Sequence, residues 1–309
     1  MNKKLNTLFL GTPEFSVPTL DMLNNHPLIN LVGVISKVDK KQGRGQKISS
    51  PPVIEYAKSH KIKSWQTQNI NKDEELLAEL QNIDLIIVLA FSQFLSEKVL
   101  NIAKLGSFNI HTSLLPKYRG AAPIQYALLN GDDDTGVSIQ RMVKKMDAGD
   151  VCLSHKIHIS PSENAGSLYT KLKLQAALST DTFIQDVFYE RLRFKTQNEE
   201  LVSFAPKISK SDGKISFDKL TLDQFRKKLK AFFPWPGIYC FLNDKNLKIF
   251  AYETSKTKLE PGKVSTSMGT LVVGLLDQSI RLTEIQLAGK RKMNDVELLN
   301  GLKGEISLG

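Results

Sequence analysis

The sequence predicts an α/β protein: a mostly parallel sheet domain followed by a small C-terminal β-barrel. Three observations carry this. Strand-like and helix-like stretches alternate through the first two hundred of 309 residues, the order that gives a parallel sheet covered by helices. Residues 84–90 (DLIIVLA) run apolar without alternation, as a central strand buried on both faces requires. After Ser203 the pattern turns to short, closely spaced strands punctuated by Gly and Asn-Asp, which suits an antiparallel barrel.

Taken in order, residues 5–10 read as the first strand. Gly11-Thr12-Pro13-Glu14 then makes a tight exit into a helix carrying Phe15, Leu20 and Leu23. Residues 31–35 (LVGVI) are a second strand, and helices follow at 53–58 and 74–80. Residues 106–111 form a further strand. Ligands of such sheets sit beyond the carboxyl ends of the strands, so Gly11, Ala90 and His111 are expected on one rim. Strands at 137–142 and 151–153 flank a Gly-containing turn, and the polar residues from about 190 to 205 read as a linker. The expected domains are therefore 1–205 and 206–309. In the second, 225–233 is a basic amphipathic helix ended by Pro234-Trp235-Pro236-Gly237, with Phe232, Phe233 and Trp235 read as core. Strands follow at 238–242, 247–252, 262–264, 271–275 and 280–287.

Composition narrows the function. With 41% apolar and 24% charged residues the chain can bury a sizeable core, and disorder, collagen and a membrane protein are excluded. Its formal net charge is +10. Residues 1–205 hold 24 basic and 21 acidic side chains, and residues 206–309 hold 18 and 11. A strongly basic module on a nearly neutral one suits a polyanionic partner, although a generally basic background gives the same excess. Cys152 and Cys240 share no CxxC spacing, which argues against a disulfide scaffold or a cysteine zinc site. The apolar run after Met1-Asn2-Lys3-Lys4 is too short and polar for secretion, and no 18-residue apolar stretch occurs. A cytoplasmic protein with reduced thiols, independent of membranes, is expected.

The first βα turn lacks GxGxxG, and no GxxxxGK[ST] occurs, so neither a dinucleotide cofactor nor a P-loop site is expected. Asn109-Ile110-His111 is more informative. Residues two apart at a strand end share a face, which sets an amide beside an imidazole at the rim. The amide can donate to a developing oxyanion and the imidazole can move a proton near neutral pH; a structural histidine fits the triplet too. Ser113-Leu114-Leu115-Pro116 is an apolar loop of the kind that holds flat heteroaromatic ligands. Asp147, in Met146-Asp147-Ala148-Gly149-Asp150, either orients the imidazole or caps its own turn. Residues 37–47 hold Lys40, Lys41, Arg44 and Lys47 among two glycines, a flexible cationic loop suited to phosphates or simply to solvent. Arg226, Lys227 and Lys230 on the basic helix, and Lys290 with Arg291, repeat the theme.

Together these residues carry a resemblance. Leu10-Gly11-Thr12-Pro13-Glu14-Phe15, Gly43-Arg44-Gly45-Gln46-Lys47, the Asn109–Pro116 stretch, Arg119-Gly120-Ala121-Ala122-Pro123-Ile124-Gln125 and Met146–Asp150 occur in this order. Pro234–Gly237 and Leu287-Ala288-Gly289-Lys290-Arg291 follow. Over nearly its whole length the chain resembles the 10-formyltetrahydrofolate-dependent formyltransferases that act on methionyl-tRNA. The resemblance implies a Rossmann-like catalytic domain and an OB-like tRNA-binding barrel. It implies a formyl donor, 10-formyltetrahydrofolate, bound around Ser113, Leu114, Leu115 and Pro116 with Ala90 and Phe91, and no metal. Asn109, His111 and Asp147 take the catalytic roles, and the cations named above meet initiator tRNA. The implied products are tetrahydrofolate and N-formylmethionyl-tRNA for translation initiation, made by a monomer. Two departures stand out: Thr112 replaces a usual glycine, and Phe91-Ser92 a usual tyrosine–glycine. A formyltransferase acting on an amino-sugar nucleotide, and a non-catalytic nucleic-acid-binding protein, are the alternatives.

Overall fold

Long runs of β-branched and leucyl residues bounded by turn residues set the strands of the first part of the chain. The computed structural model describes residues 4–42, 47–302 and 306–309. Strands β1 (Leu5–Gly11) and β2 (Ile29–Ser36) are joined by helix α1 (Val17–Asn25). A short hairpin follows, β3 (Lys40–Gln42) and β4 (Lys47–Ser49), then α2 (Pro52–Ser59), β5 (Ser64–Gln66) and α3 (Glu74–Glu79). Next come β6 (Leu85–Leu89), α4 (Glu97–Leu100), β7 (Ser107–His111) and the two-residue β8 (Arg119–Gly120). Helix α5 (Pro123–Asn130), strands β9 (Asp134–Arg141) and β10 (Val151–His158), helix α6 (Ala165–Phe188) and β11 (Phe204–Ala205) complete this part.

The main sheet runs β10-β9-β7-β6-β1-β2-β5. β1, β2, β5, β6 and β7 are parallel, and β9 and β10 close one edge antiparallel. All five residues of β6 are buried, as its unbroken apolar run predicts for a strand covered on both faces. From β1 the chain goes outward through β2 to β5, then returns to the other side of β1 at β6. The strand order therefore reverses between β1 and β6, where an open α/β sheet leaves a crevice for ligands.

In the last third, α7 (Leu222–Ala231) starts at a capping box, Thr221 with Gln224. Strands β12 (Ile238–Leu242), β13 (Lys245–Ser255), β14 (Val264–Ser265), β15 (Val272–Gly274) and β16 (Ser279–Leu287) precede α8 (Asp295–Asn300). They form an antiparallel half-barrel in the order β12-β13-β16-β15-β14. β12 alternates buried and half-buried residues, one face to the core. Phe225 of α7 enters that core edge-on to Tyr252, ring centroids 5.1 Å apart. Phe232 is buried, but Phe233 and Trp235, read as core in the sequence, are 40% and 49% exposed.

The chain forms two compact units. One comprises Met1–Pro123, Asp134–Ile159 and Tyr169–Ala205; the other comprises Ile124–Asp133, Ser160–Leu168 and Pro206–Gly309. The second unit thus takes in residues 124–133 and 160–168, which the expected domain 1–205 contained, and two further features differ from the sequence expectation. The cationic segment at 37–47 is read there as a loop, yet β3 and β4 pair across it. Helix α6 does not stand out in the sequence, because exposed Leu174 and Leu178 blur the apolar stripe that Leu168, Leu172 and Ala176 bury. Among the described residues no helix is long and apolar enough to cross a membrane.

Candidate active site

The site forms where β7 ends. Asn109 and His111 alternate with Ile110 and share a face, Asn109 half-buried and His111 buried. Asp147 arrives on the turn between β9 and β10, which Gly149 makes possible. A Cβ at position 149 would lie 1.8 Å from the Arg141 carbonyl oxygen. The three side chains meet: Asn109 Nδ2 lies 3.5 Å from Asp147 Oδ1, and His111 Nδ1 lies 3.9 Å from Asp147 Oδ2.

The second distance corrects one expectation. Asp147 is beyond hydrogen-bond reach of the imidazole, and the Tyr118 carbonyl orients it instead, 2.8 Å from Nε2. A carbonyl only accepts, so Nε2 carries the hydrogen. In the neutral ring Nδ1 is then a lone pair facing Asp147. The carboxylate is itself an acceptor on both oxygens: Gly120 N–H donates to Oδ2 at 2.9 Å and Gln140 Nε2 to Oδ1 at 3.1 Å. Two acceptors thus face each other across 3.9 Å, close enough for a proton arriving on Nδ1 to form an ion pair with the carboxylate.

The Ser113–Pro116 loop is laced to β9. Ser138 Oγ donates to the Ser113 carbonyl at 2.7 Å and accepts from Leu115 N–H at 3.0 Å, while Ser113 Oγ donates to the Lys117 carbonyl at 2.6 Å. Leu114, Leu115 and Pro116, which follow the end of β7, stay half-buried. Ala90 is exposed just past β6, at the crevice. Phe91 departs from its expected place in the ligand pocket: its ring is 1% exposed, in the core with Leu10, Val88 and Leu95. The hydroxyl of the usual tyrosine would have no water there, so phenylalanine suits the position. Ala90, Ser92, Tyr118 and Asp147 all have φ between 51° and 62°. Four strained residues on the rim loops mark a place where position outweighs local stability.

Residues remote in sequence complete the site. Residues 190–205, expected as a linker, are built into the site. β11 pairs with β8, Ser203 Oγ accepts from Tyr118 N–H at 2.9 Å, and the Ser203 carbonyl accepts from Arg119 N–H at 2.9 Å. Arg119, only 1% exposed, donates through Nε and Nη2 to Gln197 Oε1 at 3.1 and 2.9 Å and through Nη2 to Glu199 at 2.8 Å. Arg119 and then Lys145 hold the Glu199 carboxyl down to about 2. Gln197 Nε2 in turn reaches the carbonyls of Asp147 (2.9 Å) and Gly149 (2.7 Å) and Gln140 Oε1 (3.2 Å).

The expected phosphate contacts fare unevenly. Lys40 is exposed, whereas Arg44 and the side chains of Lys41 and Lys47 lie outside the described residues. On α7, Arg226 and Lys227 share Asp223, at 2.8 and 2.7 Å. Lys230 donates to the Pro161 carbonyl, and burial and the nearby Arg226 draw its ammonium below its usual range. Lys290 is exposed and Arg291 pairs with Glu297 at 2.8 Å. Several predicted cations are thus engaged within the protein, in exposed pairs that exchange at little cost, Lys230 apart. Among the described residues no His, Cys, Asp and Glu side chains cluster as a metal site.

Residues 3–179 match the family described as formyl transferase, and residues 207–303 match the formyl transferase C-terminal domain. A methionyl-tRNA formyltransferase of Geobacter metallireducens is 36% identical over 310 residues, covering 99% of each chain. Another, of Lactobacillus acidophilus, is 36% identical over 308 residues and 98% of each. Among solved structures the fold is similar to that of WlaRD, a sugar 3N-formyl transferase crystallised with dTDP and 5-N-formyl-THF. The TM-score there is 0.67 at 22% identity, over 93% of this chain and 99% of that one.

Proposed function

The chain belongs to the formyl transferase family, and we propose that it transfers a formyl group from 10-formyltetrahydrofolate to the α-amine of methionyl initiator tRNA. One observation carries the choice of acceptor. The identity to methionyl-tRNA formyltransferases runs through both parts of the chain, and the part with the C-terminal family match also carries most of the excess positive charge.

The chemistry follows from the geometry. The amine attacks the formyl carbon and a C–N bond forms, while the bond from that carbon to the folate nitrogen breaks. The proton lost by the amine is returned, by way of His111, to the departing folate nitrogen. Asn109 has two N–H donors; one lies near Asp147, and the other is assigned to the formyl oxygen as negative charge collects there. Nδ1 of His111 and Oδ2 of Asp147 form the acceptor pair for the amine's proton. Once Nδ1 holds it, the imidazolium keeps its bond to Tyr118's carbonyl through Nε2 and faces the Asp147 carboxylate at ion-pair distance, 3.9 Å, so the charge is countered where it appears. The half-buried loop Ser113–Pro116 excludes water beside the reacting carbon and is the proposed wall for the flat pterin ring, with Ala90 at the crevice end. The amine must be neutral to attack, and a pocket that desolvates ammonium favours that form. The proposed partners are tRNA and the folate alone, and the proposed state is a cytoplasmic monomer.

The test offers 10-formyltetrahydrofolate with charged initiator tRNA, with free methionine and with an amino-sugar nucleotide. Formylation of Met-tRNA is expected. Transfer to the sugar but not to Met-tRNA would overturn the assigned acceptor in favour of the sugar chemistry of the structural neighbour.

A further inference from the structure

We propose that Gln197 is a positioning residue for Asp147, the middle of a one-way chain of hydrogen bonds that starts on the buried Arg119. The inference rests on the formyl-transfer reading and adds to it a residue remote in sequence from the reactive trio. Arginine has five donors and no acceptor, so the end of Gln197 that faces Nε and Nη2 of Arg119 is its oxygen. Its NH2 group is thereby turned toward three acceptors: the carbonyls of Asp147 and Gly149 and Oε1 of Gln140. Because Oε1 of Gln140 takes that bond, Nε2 of Gln140 faces Asp147 Oδ1, at 3.1 Å. The bonds that link Arg119, Gln197 and Gln140 to one another therefore all run in one direction, from Arg119 toward Asp147. Flipping either amide would set donor against donor at one end and acceptor against acceptor at the other.

All three side chains are at least nine-tenths buried, so water does not compete for these bonds. Asp147 also needs holding. Its φ of 51° is a left-handed conformation that a non-glycine residue keeps only when its surroundings impose it. Gln197 grips the carbonyls on both sides of that turn, at residues 147 and 149, while Gln140 and Gly120 grip the carboxylate. With Gln197 lost, the turn relaxes and Oδ2 leaves its place opposite His111 Nδ1.

Two substitutions separate this role from plain structural support. Gln197→Glu keeps the size and the pairing with Arg119 but sets an oxygen against the Asp147 and Gly149 carbonyls. Gln197→Met keeps the volume and removes both ends. In each, kcat for Met-tRNA formylation is expected to fall about 10–100-fold, with KM for folate and for tRNA within about twofold of wild type, the pattern of a misplaced reactive group. Wild-type kcat in Gln197→Glu would overturn the proposal, showing that anchoring Arg119 is all the position does. So would a Gln197→Met enzyme with a lowered unfolding midpoint and unchanged kcat per folded molecule. Failure of both variants to fold would make Gln197 a scaffold residue and overturn it as well. An inactive wild-type protein, by contrast, sinks the formyl-transfer reading itself.

Discussion

At the scale of single residues, Asn109 is the sharpest point of the proposed chemistry. The hydrogen on His111 Nε2 is taken by the Tyr118 carbonyl and the Asp147 carboxylate only accepts, so the amide is the member of the trio with a hydrogen to offer the formyl oxygen. Asn109→Ala is expected to lower kcat by about 10²–10³, the size of a lost oxyanion donor, with tRNA affinity unchanged. Single-turnover formylation and a filter-binding titration measure the two halves; an equal loss of binding would make Asn109 a scaffold residue. The trio was legible because strand alternation puts residues 109 and 111 on one face, and a Gly-containing turn at 146–150 has few places to go. Gln140, Gln197 and the Tyr118 carbonyl were not. A lone glutamine has no spacing to betray it, a backbone oxygen has no letter, and their roles exist only once distant segments meet. Phe91 shows the converse: its neighbours in sequence are rim residues, yet its ring is in the core.

Among elements, α8 has the clearest single dependence. It is one and a half turns long, too short to be stable alone, and its first residue Asp295 is fully buried. Asp295 accepts from Arg281 Nε and Nη2 on β16, at 2.8 and 2.9 Å, and from Leu271 N–H at 2.9 Å. Burial pushes its pKa up, but Arg281 and the backbone donors outweigh it and hold the carboxyl below its usual range. For an acid so depressed, the stabilisation is present above the unfolded pKa near 4 and is lost as pH falls toward the folded value. The second unit should therefore lose stability below about pH 4, and Asp295→Asn should flatten that limb while costing about 1–3 kcal/mol near neutrality, since Arg281 is left partly solvated. In a Trp65→Phe background Trp235 is the one remaining tryptophan and reports this unit's unfolding. A pH dependence identical in wild type and Asp295→Asn would sink the assignment. The short strands of this unit were legible from their turns, and β6 from its apolar run. Residues 190–205 were not, because polar composition marks solvent exposure in a linker and a buried hydrogen-bond network in a site alike.

For the molecule as a whole, the question is what the +10 charge does. If it serves tRNA, the cations of residues 206–309 must be available to phosphates, yet α7 spends two of them on its own Asp223. That carboxylate is held below its usual range by Lys227 first, burial opposing and Arg226 adding, so it stays charged at neutral pH and competes with RNA. Exposed pairs of this kind contribute about 0–1 kcal/mol, so Asp223→Asn should leave the fold intact. It frees Arg226 and Lys227 and raises the net charge by one. Two further phosphate contacts would tighten Met-tRNA binding at low salt and steepen the fall of log affinity against log salt by about one to two. Titrations at several salt concentrations measure both quantities, with kcat at saturating tRNA as the control that the sheet unit is untouched. Unchanged affinity and slope would mean that α7 faces away from the RNA. The excess charge would then have to act through the segment around Lys40 and through Lys290, and the same titration on variants neutralised at those positions would read it there.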